Sequence, residues 1–184
     1  VHCWDLFNEP NGPEINYIAT GSADKYRLAT ELLDRVFDWA QAADPSQPLT
    51  AGVFVGVSGA LERGDRINRL MLSRSDVITF HNYLPRRRLE GCIDHLTAYG
   101  RPVLCTEWMG RPRSTPDLIE VFADREVGCY TWGLVDGRTQ TRYPWNSWQK
   151  DTPPDAPWFH ELLHGDGTPY DQAEVERFRR ATRR

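Results

Sequence analysis

The sequence offers little of what would sort it quickly. It has no basic excess: 22 lysines and arginines stand against 26 acids, a formal net charge of −4. A general nucleic-acid footprint needs the opposite balance. The one basic run, "RFRRATRR" at the end, lies on an amphipathic stretch and reads as a solvated helix end. No low-complexity block argues for disorder. No leader peptide or membrane span is legible, which carries no weight in a chain that does not begin with methionine. Cysteine is scarce. Cys3, Cys92, Cys105 and Cys129 match no zinc spacing, and three fall in apolar runs, so they read as reduced, buried thiols. No G-x-G-x-x-G follows the first apolar run, so no nucleotide site is visible.

What is present is an alternation. Short apolar runs, "VHCWDLF" (1–7), "LTAGVF" (49–54), "VITFHNY" (77–83), "PVLCTEW" (102–108) and "VGCYTWGLV" (127–135), are rich in β-branched and aromatic residues and apolar on both faces. Buried parallel strands have this composition. Between them lie helical periodicities. The first carries Tyr26, Ala29, Leu33, Val36, Phe37 and Ala40, with Ser22 as the expected N-cap and Asp44-Pro45 as the stop. The second buries Leu61, Ile67, Leu70 and Met71. The third buries Leu89, Cys92, Ile93, Leu96 and Tyr99 and ends at Gly100. The fourth has Thr115 as cap and Pro116 in its first position, and buries Leu118, Ile119 and Phe122. Further short helices are expected over 157–164 and 171–182, the latter capped by Asp171 with Glu174 three residues on. Strict βαβα alternation implies an α/β fold with a parallel sheet and right-handed crossovers. The length suits a single domain over 1–184.

Two acids fall at strand ends: Glu9 after the first run and Glu107 at the end of the fourth. In parallel βα architectures the carboxyl ends of all strands open on one face, where ligands bind. His81 and Tyr83, two apart, point the same way from the third strand, and Trp132 lies near the end of the fifth. Paired carboxyl groups are what glycoside cleavage needs. One is protonated to donate to the leaving oxygen and the other is ionised to attack, about 5–5.5 Å apart for retention of configuration.

"NEP" on one strand, "FHNY" two strands later, "TEW" on the next and "YTWG" on the one after resemble clan A of the glycoside hydrolases, and family 5, the cellulase and mannanase group, most closely. The resemblance implies the C-terminal part, strands four to eight, of a TIM (β/α)8 barrel, and a retaining β-glycoside hydrolase working by double displacement on a β-linked oligo- or polysaccharide. Other clan A families, β-galactosidase or β-mannosidase among them, remain open, as does a non-catalytic carbohydrate-binding or assembly half-barrel. Carried over by position, Glu9 resembles the acid/base, its pKa raised for the task, and Glu107 the nucleophile. Asn8 resembles the residue that hydrogen-bonds the sugar 2-hydroxyl. Tyr83 would donate to Glu107 and hold it ionised and oriented, and His81 would order the two acids. Trp132 would be the platform beneath the sugar. The resemblance implies no cofactor, and neither nucleic acid nor membrane is expected as a partner. Trp4, Trp39 and Trp158 read as core. Trp108, Trp145 and Trp148 are divided between outer sugar subsites and the barrel rim.

"HELLHGDG" (160–167) is a rival signal, since H-E-x-x-H on a helix puts two histidines on one face for zinc, with the glutamate as base. Tyr170 stands where a third histidine belongs, and both methionines precede the motif. Finally, the alignment with the barrel starts at its fourth strand. Five strands alone leave two sheet edges open. A preceding half-barrel in a longer polypeptide, or a second copy, is expected to cover them.

Overall fold

A computed structural model describes residues 1–12, 22–55 and 66–183. The elements, in chain order, are β1 (Trp4–Asn8), α1 (Ser22–Ala42), β2 (Leu49–Phe54), α2 (Arg66–Arg74), β3 (Ile78–Asn82), α3 (Arg86–Thr97), β4 (Val103–Trp108), a 3-10 turn (Pro116–Leu118) running into α4 (Ile119–Asp124), β5 (Gly128–Thr131) and α5 (Gln172–Ala181). The strands form one parallel sheet in the order β1-β2-β3-β4-β5. Sequential neighbours in a parallel sheet require crossover connections, and each strand is followed by helical or loop chain that provides one. The described residues divide into two compact units: Val1–His81 with Gly91–Leu104, and Asn82–Glu90 with Cys105–Arg184.

In the first unit, β2 and the His81 end of β3 are buried on both faces, which is why their sequences do not alternate. The polar groups they bury are paired. Thr50 and Thr79 share a hydroxyl–hydroxyl bond of 2.8 Å, and the Leu49 amide donates to Asp76. From α1, Leu33 and Phe37 are fully buried, as its periodicity requires. Arg74 of α2 pairs with Asp34 and Asp38 of α1 at 2.7 and 2.8 Å. The chain leaves α1 through Asp44 in a left-handed turn at φ +48°, at the expected stop. Gly100, at φ +67°, ends the turn after α3.

Several expectations are corrected here. Ser22 is the first helical residue of α1, not the cap before it. Leu61 lies outside the described residues. Tyr99, past the last turn of α3, is 45% exposed. Trp4 and Trp39 are not core: they are 47% and 61% exposed. Trp4 lies on β1, which pairs with β2 alone among the described strands. Trp39 shares with Leu28 and Leu32 the face of α1 opposite to Leu33 and Phe37.

The second unit is built around Trp108, which is fully buried against Phe122 of α4 and stacked on Phe178 of α5. Thr115 is the extended residue before the 3-10 turn, with Pro116 next, as expected. Its hydroxyl donates to the Asp117 carboxylate rather than capping a backbone N–H. Asp171 caps α5, accepting from the amides of Ala173 and Glu174 at 2.8 and 3.1 Å. The basic end of α5 is solvated, with Arg177 paired to Glu120.

The stretch 157–164 is not a helix. Leu163 bridges Val135 in parallel and Pro169 antiparallel, and the amides of Leu162 and Leu163 both donate to the Leu134 carbonyl. Seven residues between Pro157 and the Gly-Asp-Gly turn are too few to nucleate a helix unaided. The chain beyond β5 offers them a backbone partner instead. All four cysteines are free, and burial pushes the Cys92 and Cys129 thiols up to about 12.

Candidate active site

In the first unit the site is assembled at the carboxyl end of β1, β2 and β3. Asn8 is the last residue of β1, paired with Gly52, and is exposed. Glu9 follows in a left-handed conformation (φ +47°) that turns the chain sharply off the strand. Its amide still donates to the Gly52 carbonyl at 3.0 Å, and its own carbonyl closes a turn with the Gly12 amide. The Glu9 carboxylate lies 2.7 Å from His81 Nδ1. His81 is 2% exposed and Glu9 26%, so the carboxylate is the open end of the pair.

Three more residues support this pair, and sequence reading missed all three. Asp5 accepts from the Gly52 amide at 3.0 Å and from the Phe7 amide at 3.3 Å. Burial pushes the Asp5 carboxyl up, while those two donors and the nearby His81 hold it back. Gly52 leaves the space this needs: a β-carbon there would fall 2.9 Å from Asp5 Oδ2 and 3.0 Å from His81 Nε2. Asn11 acts as a short extra strand on β2. Its side chain accepts from the Phe54 amide and donates to the Phe54 carbonyl, both at 2.9 Å, and also reaches Asn68 at 2.7 Å. Its only signal in the sequence is its place in the Asn-Glu-Pro-Asn-Gly turn.

In the second unit the Tyr83 hydroxyl donates to Glu107 Oε2 at 2.9 Å. Glu107 is on β4 and half-buried. Just beyond it, Met109 adopts φ +70°, and a tight loop to Ser114 is closed by backbone bonds of 2.8 and 3.0 Å between Gly110 and Ser114. Gly110 lets Tyr83 and Phe159 approach: a β-carbon would meet them at 3.2 and 3.4 Å. Trp132 follows β5, tied by its amide to the Trp108 carbonyl at 3.1 Å, and is 49% exposed. Of the undecided tryptophans, Trp108 is core. Trp145 and Trp148 are exposed, and Trp145 stands edge-on to Tyr83 at 4.7 Å.

The rival zinc signal, already disfavoured by Tyr170 and by the position of the methionines, also lacks its helix. Residues 157–164 form no helix, so His160 and His164 share no helical face. His160 is buried against Tyr83, Trp145 and Phe159, whereas His164 packs on Trp158 at 4.6 Å. Glu161 is buried, accepts from the Thr141 hydroxyl, and is pushed up by desolvation.

No known family and no curated protein matches the sequence. Solved structures do match. The chain superposes on native CbXyn10B with a TM-score of 0.57 at 16% identity, covering 96% of this chain and 62% of that one. An endo-1,4-beta-xylanase from Caldicellulosiruptor owensensis gives 0.54 at 14% identity, covering 92% and 60%. The agarase AgWH50C gives 0.54 at 12% identity, covering 92% and 26%. The fold is therefore that of part of an α/β barrel, and the chain spans about three fifths of the first of these structures.

Proposed function

We propose that the chain is the C-terminal part of a retaining β-glycoside hydrolase of clan A, similar to family 5. Glu9 is its acid/base and Glu107 its nucleophile. Glu107 attacks the anomeric carbon while Glu9 delivers a proton to the departing glycosidic oxygen. Water, deprotonated by Glu9, then cleaves the glycosyl ester at Glu107 and restores both groups. Asn8 engages the 2-hydroxyl and Trp132 lies beneath the ring. His81 orients Glu9, and Tyr83 orients Glu107.

The observation that carries this reading is the Tyr83–Glu107 bond at 2.9 Å. A nucleophilic carboxylate needs a donor that fixes its orientation without neutralising it, and a phenol supplies one. The likeness in fold to an endo-1,4-beta-xylanase favours a β-linked polysaccharide as substrate. The βα units that complete the barrel would sit beside β1, either in the same polypeptide or in a second copy. The test is a mechanism-based fluorosugar applied to the full-length polypeptide carrying this chain. Peptide mapping is expected to find the label on Glu107, and Glu107→Gln is expected to abolish turnover. A label on any other residue overturns the assignment.

A further inference from the structure

One side chain buried in the second unit has no part in that chemistry and touches both supports of Glu107. His160 is 1% exposed. Its Nδ1 lies 2.5 Å from the Met109 carbonyl oxygen. A carbonyl only accepts, so the proton is on Nδ1 and the ring donates. Nε2 is buried with no hydrogen-bond partner among the described residues. Desolvation, with the Arg111 charge adding to it, lowers the imidazole to about 4, against the bond to Met109. The ring is neutral at working pH.

Met109 is two residues past Glu107, in the left-handed position where the chain leaves β4. The bond from His160 therefore holds the carbonyl of the residue that sets the exit angle of that strand. The other face of the contact is Tyr83, whose ring meets the imidazole edge-on at 5.7 Å. Trp145 and Phe159 close the cluster at 5.5 and 4.5 Å. Behind it, Gly133 admits His160 so closely that a β-carbon would fall 2.8 Å from His160 Cβ.

We propose that His160 is a positioning residue for Glu107, acting through the Met109 carbonyl at the exit of β4 and through the ring of Tyr83, whose hydroxyl Glu107 accepts. Its effect on rate rests on the functional reading above, but its effect on geometry does not.

Two substitutions separate the routes. His160→Asn keeps an N–H near the Nδ1 position and removes the ring from Tyr83. His160→Phe keeps a ring and removes the donor. In the full-length polypeptide each is expected to lower kcat with KM little changed, and His160→Ala to lower kcat about a hundredfold, the scale of a small misplacement of a reacting group. In a Tyr83→Phe background the His160→Asn effect is expected to shrink and the His160→Phe effect to persist.

A second readout needs no turnover: the carbon-13 signals of the Glu107 carboxyl and the Tyr83 phenol carbon. They are expected to move in His160→Ala and His160→Phe. A group that only filled space would lower the melting point and leave both signals and kcat unchanged, and that outcome overturns the proposal. If the parent polypeptide cleaves no glycan, the functional reading fails while the Glu107 signal still decides this one. If the variants do not fold, nitrogen-15 spectra of the parent decide it. Nδ1 protonated and Nε2 bare is expected, and the reverse overturns it.

Discussion

At position 52 only a hydrogen fits. Asp5 holds the Gly52 amide, and His81 lies against the same Cα. Gly52→Ala places a methyl inside van der Waals contact of both, so one must move. Overpacking of this kind costs about 1–3 kcal/mol. We expect a loss of that size in urea titrations, with His81 displaced from Glu9 in the variant structure. His160 supplies a pH signature. Its imidazole titrates at about 6.5 when unfolded and at about 4 when folded. The unfolded chain binds the extra proton, so this contribution is complete above pH 6.5 and is lost as pH falls towards 4. It amounts to about 3 kcal/mol. Stability measured across that window is expected to fall in the parent and to fall less in His160→Asn. At this scale the reading from sequence was uneven. Glu9, His81, Tyr83 and Glu107 announce themselves because acids and aromatics at strand ends are unusual. Asp5, Gly52 and His160 do not, because what matters in them is a distance to a residue far along the chain.

Elements were legible where their pattern was long or local. All five strands coincide with their apolar runs, Asn8 alone falling one residue past the first. β2 and β3 are mostly apolar because both their faces are buried, whereas β1 and β5 carry exposed positions. α5 begins where Asp171 can cap it. Asp171→Ala, which removes an acceptor from two amides, is expected to cost about 1 kcal/mol in denaturant titration. The stretch 157–164 was misread. Its apolar residues fit a helical spacing, but so few residues take whatever backbone partners lie alongside, and the chain after β5 supplied them. That one difference also removes the helix on which the H-E-x-x-H reading rests.

For the molecule as a whole, the prominent fact is apolar surface on the first unit. Leu28, Leu32 and Trp39 line one face of α1 at 53%, 46% and 61% exposure, and Trp4 is open on β1. Large exposed apolar residues in a row on one face mark an interaction surface. β1, which has one neighbour among the described strands, adds backbone groups that another strand can pair. We expect residues 1–184 expressed alone to self-associate in sedimentation experiments. Trp39→Glu is expected to reduce that association. A monodisperse monomer with full activity on a β-glycan would show that the surface needs no cover.

The sequence by itself determined the order of the strands and of the helices between them, the parallel character of the sheet and the identity of the residues at its carboxyl end. Those follow from periodicity and chemistry within a few residues of each position. Only the tertiary structure decided which of those residues meet. Glu9 and His81 are 72 positions apart, and Tyr83 and Glu107 are 24 apart. Whether such groups come within hydrogen-bonding distance depends on strand register, on the missing β-carbon of Gly52 and on the turns at Glu9 and Met109. Those are settled by packing between distant segments, which no local pattern records.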